Sequence, residues 1–163
     1  MTVYCARCMS SNVDTARFCE DCGHQLDQPA AGTEQPGWEA LVTVDAWYYG
    51  RRVSTEPLPT DAVERVIALT EDSATIGRQC SSASAGSAEV AVGVHDQAVS
   101  RAHAMLNRRR DGIWTVTDLG STNGTFLNGA ATAMTERVAA PIGDGDYVNV
   151  GAWTRITLRR TLR

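Results

Sequence analysis

Tight-turn signals recur along the second half of this chain, and they cut it into short segments. Asp111-Gly112, Asn128-Gly129 and Gly143-Asp144-Gly145 each separate runs rich in β-branched and aromatic residues. Glycine paired with Asp or Asn supplies the positive φ that hairpin turns need, so this punctuation predicts many short strands joined by tight connections. Glu39 to Tyr48 alternates Leu41, Thr43, Asp45 and Trp47 against Ala40, Val42, Val44 and Ala46, which predicts a first strand. Further strands are expected at Val66–Leu69, Ala74–Ile76, Ala102–Arg108, Trp114–Asp118, Thr125–Leu127, Tyr147–Val150 and Thr154–Arg159. Arg51 to Ala62, with Pro57 and Pro59, reads as a loop, and Gln79 to Gly93, dominated by Ser, Ala and Gly, reads as a connection. The expected class is mainly β, a sandwich or barrel.

Composition narrows the partners. The chain has 163 residues and a net charge of −4, from 15 basic and 19 acidic residues, so it carries no overall electrostatic footprint for nucleic acid. Its apolar runs break well before the ~18 residues of a spanning helix, and the N-terminus lacks a charged segment followed by an apolar one. A cytoplasmic protein without membrane contact is expected. All 15 basic residues are arginine. Together with abundant Ala and Gly, this matches the codon bias of a GC-rich bacterial genome. Without lysine there is no Walker-type phosphate loop and no Schiff-base chemistry. The four tryptophans, Trp38, Trp47, Trp114 and Trp153, are expected in core or edge packing, and Arg108-Arg109-Arg110 as a solvated hairpin tip.

Three polar segments then stand out: Ile76-Gly77-Arg78, Val99-Ser100-Arg101-Ala102-His103 and Ser121-Thr122-Asn123-Gly124-Thr125. Brought to one end of a β-scaffold, they would offer a guanidinium fork, hydroxyls and an amide. A phosphothreonine carries close to two negative charges and three acceptor oxygens. Arginine's planar fork can hold two of those oxygens at once, and hydroxyls can donate to the rest. Such a site binds and does not catalyse.

In order and interval these residues, with Asn128-Gly129 behind them, resemble the signature of the forkhead-associated (FHA) domain over roughly the last three quarters of the chain. The resemblance implies an eleven-stranded β-sandwich that takes phosphothreonine peptides on loops at one end. It implies that Arg78 and Ser100 hold the phosphate, that Thr122 shapes the phosphate and methyl pocket, that Arg101 supplies a second polar or basic contact, and that Asn123 fixes the ligand backbone. Gly77 and Gly124 would serve turns or positive φ, and His103 would brace the loop that presents Ser100; a catalytic histidine is disfavoured because no nucleophile stands near it in the sequence. The connection after Arg78 would tune partner choice. Cys80 within it is expected as a small, partly buried residue, with a reactive thiol as the lesser reading.

The N-terminus carries a second signal. Cys5-Ala6-Arg7-Cys8 and Cys19-Glu20-Asp21-Cys22 are two Cys-x2-Cys pairs separated by ten residues. That spacing turns both thiolates of each pair toward one ion and suits a four-sulfur zinc shell. A disulfide pair or redox dithiol fits less well in a chain expected to stay in a reducing compartment. Residues 3 to about 26 resemble a zinc ribbon with one structural zinc ion, and His24 is expected to be a bystander. A unit this short lacks an adequate apolar core, so metal binding and folding should be one event.

The expected organisation is a zinc ribbon at 1–26, a flexible Pro- and Gly-rich linker at 27–37 and an FHA-like domain at 38–163. Thr33 in the linker is a candidate phosphorylation switch. The expected function is a non-enzymatic adaptor for a phosphothreonine-containing protein, a Ser/Thr kinase or its substrate. Its competitors are a nucleic-acid-associated regulator acting through the ribbon, and an enzyme such as a redox dithiol protein. Residues 1–37 hold only Arg7 and Arg17 against Asp14, Glu20, Asp21, Asp27 and Glu34, which disfavours contact with nucleic acid.

Overall fold

The computed structural model describes residues 2–4, 8, 10–13, 16, 18–23, 37–78 and 90–161. Cys5, His24, Thr33, Cys80 and the expected linker, apart from Gly37, lie outside the described residues. The chain divides into two compact units, Met1–Gln35 and Pro36–Arg163.

In the first unit β1 (Thr2–Tyr4) pairs antiparallel with β2 (Ser11–Val13), Val3 facing Asn12. Cys19 is buried beside Ala16 and Cys22. The Asn12 side chain accepts from Glu20 N at 3.0 Å and donates to Ser10 O at 2.9 Å, which ties the hairpin to the turn that follows Cys19.

The second unit is a two-layer sandwich. Its described strands are β3 (Gly37–Val44), β4 (Arg65–Leu69), β5 (Ser73–Arg78), β6 (Val90–Val94), β7 (Ala104–Arg108), β8 (Trp114–Asp118), β9 (Thr125–Leu127), β10 (Ala140–Ile142), β11 (Tyr147–Val150) and β12 (Thr154–Thr161). One sheet runs β10-β8-β7-β5-β6 and the other β4-β3-β12-β11-β9. Pairing is antiparallel throughout except for β5 and β6, which run parallel with Arg78 level with Val94.

The alternation that predicted strands also sorts side chains between core and solvent. Trp38, Ala40 and Val42 of β3 point inward with Ile156 and Leu158 of β12, against Ile76, Leu106, Trp114 and Val116 of the facing sheet. Trp38 and Trp114 meet edge to face, ring centroids 6.2 Å apart.

The mainly-β expectation holds, with differences at three places. The first strand does not reach Tyr48, because Asp45 stops it. Its carboxylate accepts the Tyr48 N–H at 2.9 Å and caps a short helix, α1 (Ala46–Gly50). Trp47 therefore leaves the sheet and is 57% exposed, contrary to the packing expected of it, whereas Tyr48 is buried and donates its hydroxyl to Gly151 O. Val90 to Gly93, read as part of a connection, belong to β6. Ala140–Ile142 was not anticipated; Pro141 is tolerated because β10 is an edge strand.

Asp45 also accepts from Asn149 Nδ2 at 2.9 Å and pairs with Arg155 at 2.6 Å. Burial alone would raise its carboxyl pKa, but these donors together with the Tyr48 N–H outweigh burial and hold it below the ordinary carboxylate range. Asp45→Ala removes the helix cap and leaves Arg155 and Asn149 without their acceptor. It should lower the stability of this unit by about 2–3 kcal/mol, read as a shift in the urea midpoint without a change in slope.

Candidate functional site

The end of β5 and the loops before β7 and between β8 and β9 meet at one end of the sandwich, and hydrogen bonds between them fix the meeting. Arg78 N donates to Ser100 O at 3.0 Å, and Thr122 N donates to Ser100 Oγ at 3.2 Å. Asn123 Nδ2 donates to Ala98 O at 2.8 Å. Arg78, Ser100, Thr122 and Asn123 are thereby brought together. Thr122 and Arg101 are exposed, Arg78, Ser100 and Asn123 half-buried.

The Arg78 guanidinium is loosely held. Its Nη1 reaches Gln97 O and Oε1 only at 3.4 Å each, and it makes no ion pair among the described residues. Ser100 Oγ accepts from Thr122 N, so its own hydroxyl proton remains available. One N–H of the Asn123 amide is used inside the protein, on Ala98 O.

Behind these groups lies a saturated polar layer. His103 is fully buried. Its Nδ1 accepts the Ser100 N–H at 3.1 Å, so the ring proton sits on Nε2, which donates to Gly124 O at 3.0 Å. One neutral imidazole thus ties the second loop to the third. Burial pushes its pKa below the ordinary histidine value.

Asp118 shapes the third loop from within. Its carboxylate accepts from Gly120 N, Ser121 N, Ser121 Oγ and Thr125 Oγ1 at 2.8, 2.9, 2.6 and 2.5 Å. Burial would raise its pKa; the four donors win and hold it below the usual range. Gly124 has φ +80°, a conformation that favours glycine. Gly77 is needed for space: a Cβ there would collide with the Arg101 carbonyl.

Three contributors escaped the sequence reading. Gln97 contacts Arg78. Asp96, buried, accepts from Ala98 N, Ala152 N, Trp153 N and Thr154 Oγ1, and so fastens the Ser100 loop to the start of β12. Arg52 donates to Asn123 O at 3.0 Å and lies over the Phe126 ring at 4.7 Å. Only Asp96 had a local signal, as an acidic residue opening a turn in Asp96-Gln97-Ala98.

In the first unit, Cys8, Cys19 and Cys22 place their sulfurs within 4.8 Å of one another, and Cys8 and Cys19 Sγ are 3.5 Å apart. Tetrahedral zinc with Zn–S bonds of about 2.3 Å sets sulfurs about 3.8 Å apart, so these three are close enough to share one ion. Hydrogen bonding with Ser10, first its side chain and then its backbone, lowers the Cys8 thiol pKa to about 6.

Residues 74–151 match the family model of the FHA domain. That stretch is an FHA domain. The FHA family is a non-enzymatic protein-interaction module. An FHA domain-containing protein of Arabidopsis thaliana is 34% identical over 65 residues, which is 40% of this chain and 16% of the relative, so the match spans only a small part of that protein. Among solved structures, the FHA domain of a hypothetical protein of Arabidopsis thaliana aligns with a TM-score of 0.54 at 22% identity over 79% of this chain and 89% of that one. Full-length yeast Pml1p aligns with a TM-score of 0.56 at 16% identity over 78% and 84%. At these identities the structural likeness speaks for the fold. The FHA match leaves the cysteine unit outside it.

The His103 clamp makes the site sensitive to acid. With a folded pKa below the unfolded ~6.5, the unfolded state binds the proton first, so its stabilisation is complete above pH 6.5 and declines as pH falls. Asp45 and Asp118, held low, add their loss only below about pH 4. Urea unfolding of the wild type should therefore weaken in two stages on acidification. In His103→Ala, less stable at every pH, the first stage should be absent.

Proposed function

We propose that residues 38–163 are a phosphothreonine-dependent docking module and that the chain is a non-enzymatic adaptor in Ser/Thr kinase signalling. The partner would be a phosphothreonine-containing kinase or kinase substrate. The observation that carries this reading is the meeting of Arg78, Ser100 and Thr122 on one end of the sandwich, with the Arg78 fork weakly engaged and Ser100 Oγ joined to the exposed Thr122 through its backbone N–H.

The chemistry follows from the donors. A phosphate dianion forms shorter, charge-assisted bonds than the 3.4 Å contacts that hold Arg78 to Gln97, so it displaces them and takes two oxygens onto the guanidinium. Ser100 O–H donates to a third oxygen without giving up the Thr122 N–H that it accepts. Arg101, exposed beside Ser100, adds positive charge at the rim. Asn123 holds the Ala98 carbonyl and keeps its amide oxygen for the ligand main chain. Gly77, His103 and Gly124 support these groups and touch no ligand.

The N-terminal residues 1–26 would form a zinc ribbon holding one structural ion, joined by the flexible linker 27–37. Cys8, Cys19 and Cys22 supply three ligands and Cys5, by its spacing, the fourth. Zinc there supplies folding free energy to a segment with almost no apolar core. A cytoplasmic, bacterial setting is consistent with a thiolate site and an all-arginine basic set.

Titration calorimetry with phosphothreonine peptides should give micromolar binding to the full chain and none to the unphosphorylated versions. Arg78→Ala should weaken it by about 30- to 100-fold, ~2–3 kcal/mol, without moving the thermal midpoint. Phosphate-independent binding, or unchanged affinity in Arg78→Ala, would refute the reading. Metal analysis of the purified chain should find one zinc per molecule, lost in Cys19→Ser; removal by chelator should abolish the β1–β2 hairpin signals in an NMR spectrum and leave the sandwich resonances in place.

A further inference from the structure

Beside the proposed phosphate notch lies a second cationic feature that the FHA motifs do not include. It is built on α1, the helix that Asp45 caps and Tyr48 anchors in the core. Arg51, just past the helix, stacks its guanidinium on the exposed Trp47 ring, 4.5 Å from its centroid. Arg52 stacks on Phe126 and donates to Asn123 O, so its position is locked to the loop that carries Thr122 and Asn123. Trp47 in turn lies against Gly129, where an added Cβ would come within 3.6 Å of the ring. The Asn128-Gly129 turn therefore seats the tryptophan as well as reversing the chain.

Trp47, Tyr48, Arg51, Arg52, Phe126 and Gly129 border a shallow pocket of about 50 Å³ with no carboxylate on its lining. Arg51 and Arg52 form no ion pair among the described residues. Stacking on an aromatic face fixes a guanidinium while leaving its N–H edge open, which lowers the entropy lost when it takes a carboxylate. The Arg52–Asn123 bond makes this shelf continuous with the notch.

We infer that the Arg51–Arg52 shelf on Trp47 is a specificity site, which takes an acidic side chain of the same peptide that inserts its phosphothreonine beside Arg78. This rests on the phosphothreonine reading and adds to it: the partner motif is a phosphothreonine flanked on one side by Asp or Glu. The shelf lies on the rim, so it selects among phosphopeptides and contributes modestly to affinity.

The test uses the full chain and a set of phosphothreonine peptides carrying a single Glu, or Gln in its place, at each of the four positions before and after the phosphothreonine. In the wild type, Glu should bind about threefold tighter than Gln at one position on one side, and the preference should fade with added salt. In Arg51→Gln the preference should vanish while the Gln peptides bind as before. In Arg78→Ala all the peptides should weaken together. Equal affinity for Glu and Gln at every position with phosphate dependence intact, or a Glu preference that survives in both Arg51→Gln and Arg52→Gln, overturns this inference and leaves the docking module standing. Absence of phosphate-dependent binding for the whole set overturns both.

Discussion

The loop end of the sandwich that carries Arg78, Ser100 and Thr122 depends on one buried, neutral imidazole. His103 takes the Ser100 N–H on Nδ1 and gives its Nε2 proton to the Gly124 carbonyl, so two loops from different strand pairs share a single side chain. No other protonation state does both, because a charged ring has no acceptor and the other tautomer would present a proton to the Ser100 N–H. Burial favours the required form, and the two hydrogen bonds repay the desolvation of a polar ring. Ser100 is therefore presented at a fixed height above the core, and Thr122 is held to it through Oγ.

Around that imidazole, three buried aspartates solve a problem common to loops. Backbone N–H groups outside a sheet ladder lose water without gaining a partner. Asp45 takes the Tyr48 N–H, Asp96 takes those of Ala98, Ala152 and Trp153, and Asp118 takes those of Gly120 and Ser121. Each carboxylate replaces a missing strand neighbour. Their charge is compensated unevenly, by Arg155 at Asp45 and by neutral dipoles at Asp118, which is sufficient because several donors converge on each carboxylate.

Much of the scaffold was legible because its strands alternate cleanly between turns. Trp114–Asp118, Thr125–Leu127 and Tyr147–Val150 have the same limits in sequence and structure. The failures are instructive. Alternation carries straight through Asp45 to Trp47, and only the carboxylate's bond to Tyr48 N, invisible in a periodicity, ends the strand. Val90–Val94 pairs in parallel with Ser73–Arg78; its valines at 90, 92 and 94 alternate as a strand's do, but the Ser-, Ala- and Gly-rich stretch ahead of them hid so short a signal. At the site, the spacing of the three motifs indicated which residues belong on neighbouring loops. Gln97 and Arg52 were silent because their parts come from contacts across 19 and 71 residues of chain.

A motif also mixes two kinds of residue that the geometry separates. His103, Asp118, Thr125 and Gly124 have their polar groups or backbone committed within the protein, and changing them alters the platform. Arg78, Ser100, Arg101 and Thr122 retain donors that face outward or are held only loosely, and changing them alters what the platform can hold. Under the proposed reading, hydrogen-bond saturation separates the residues expected to meet a ligand from those that support them. By the same measure Arg51 belongs with the second group. Its guanidinium rests on an aromatic face that fixes its position without using its hydrogen-bond donors, which is the condition in which an arginine is most ready to meet an anion.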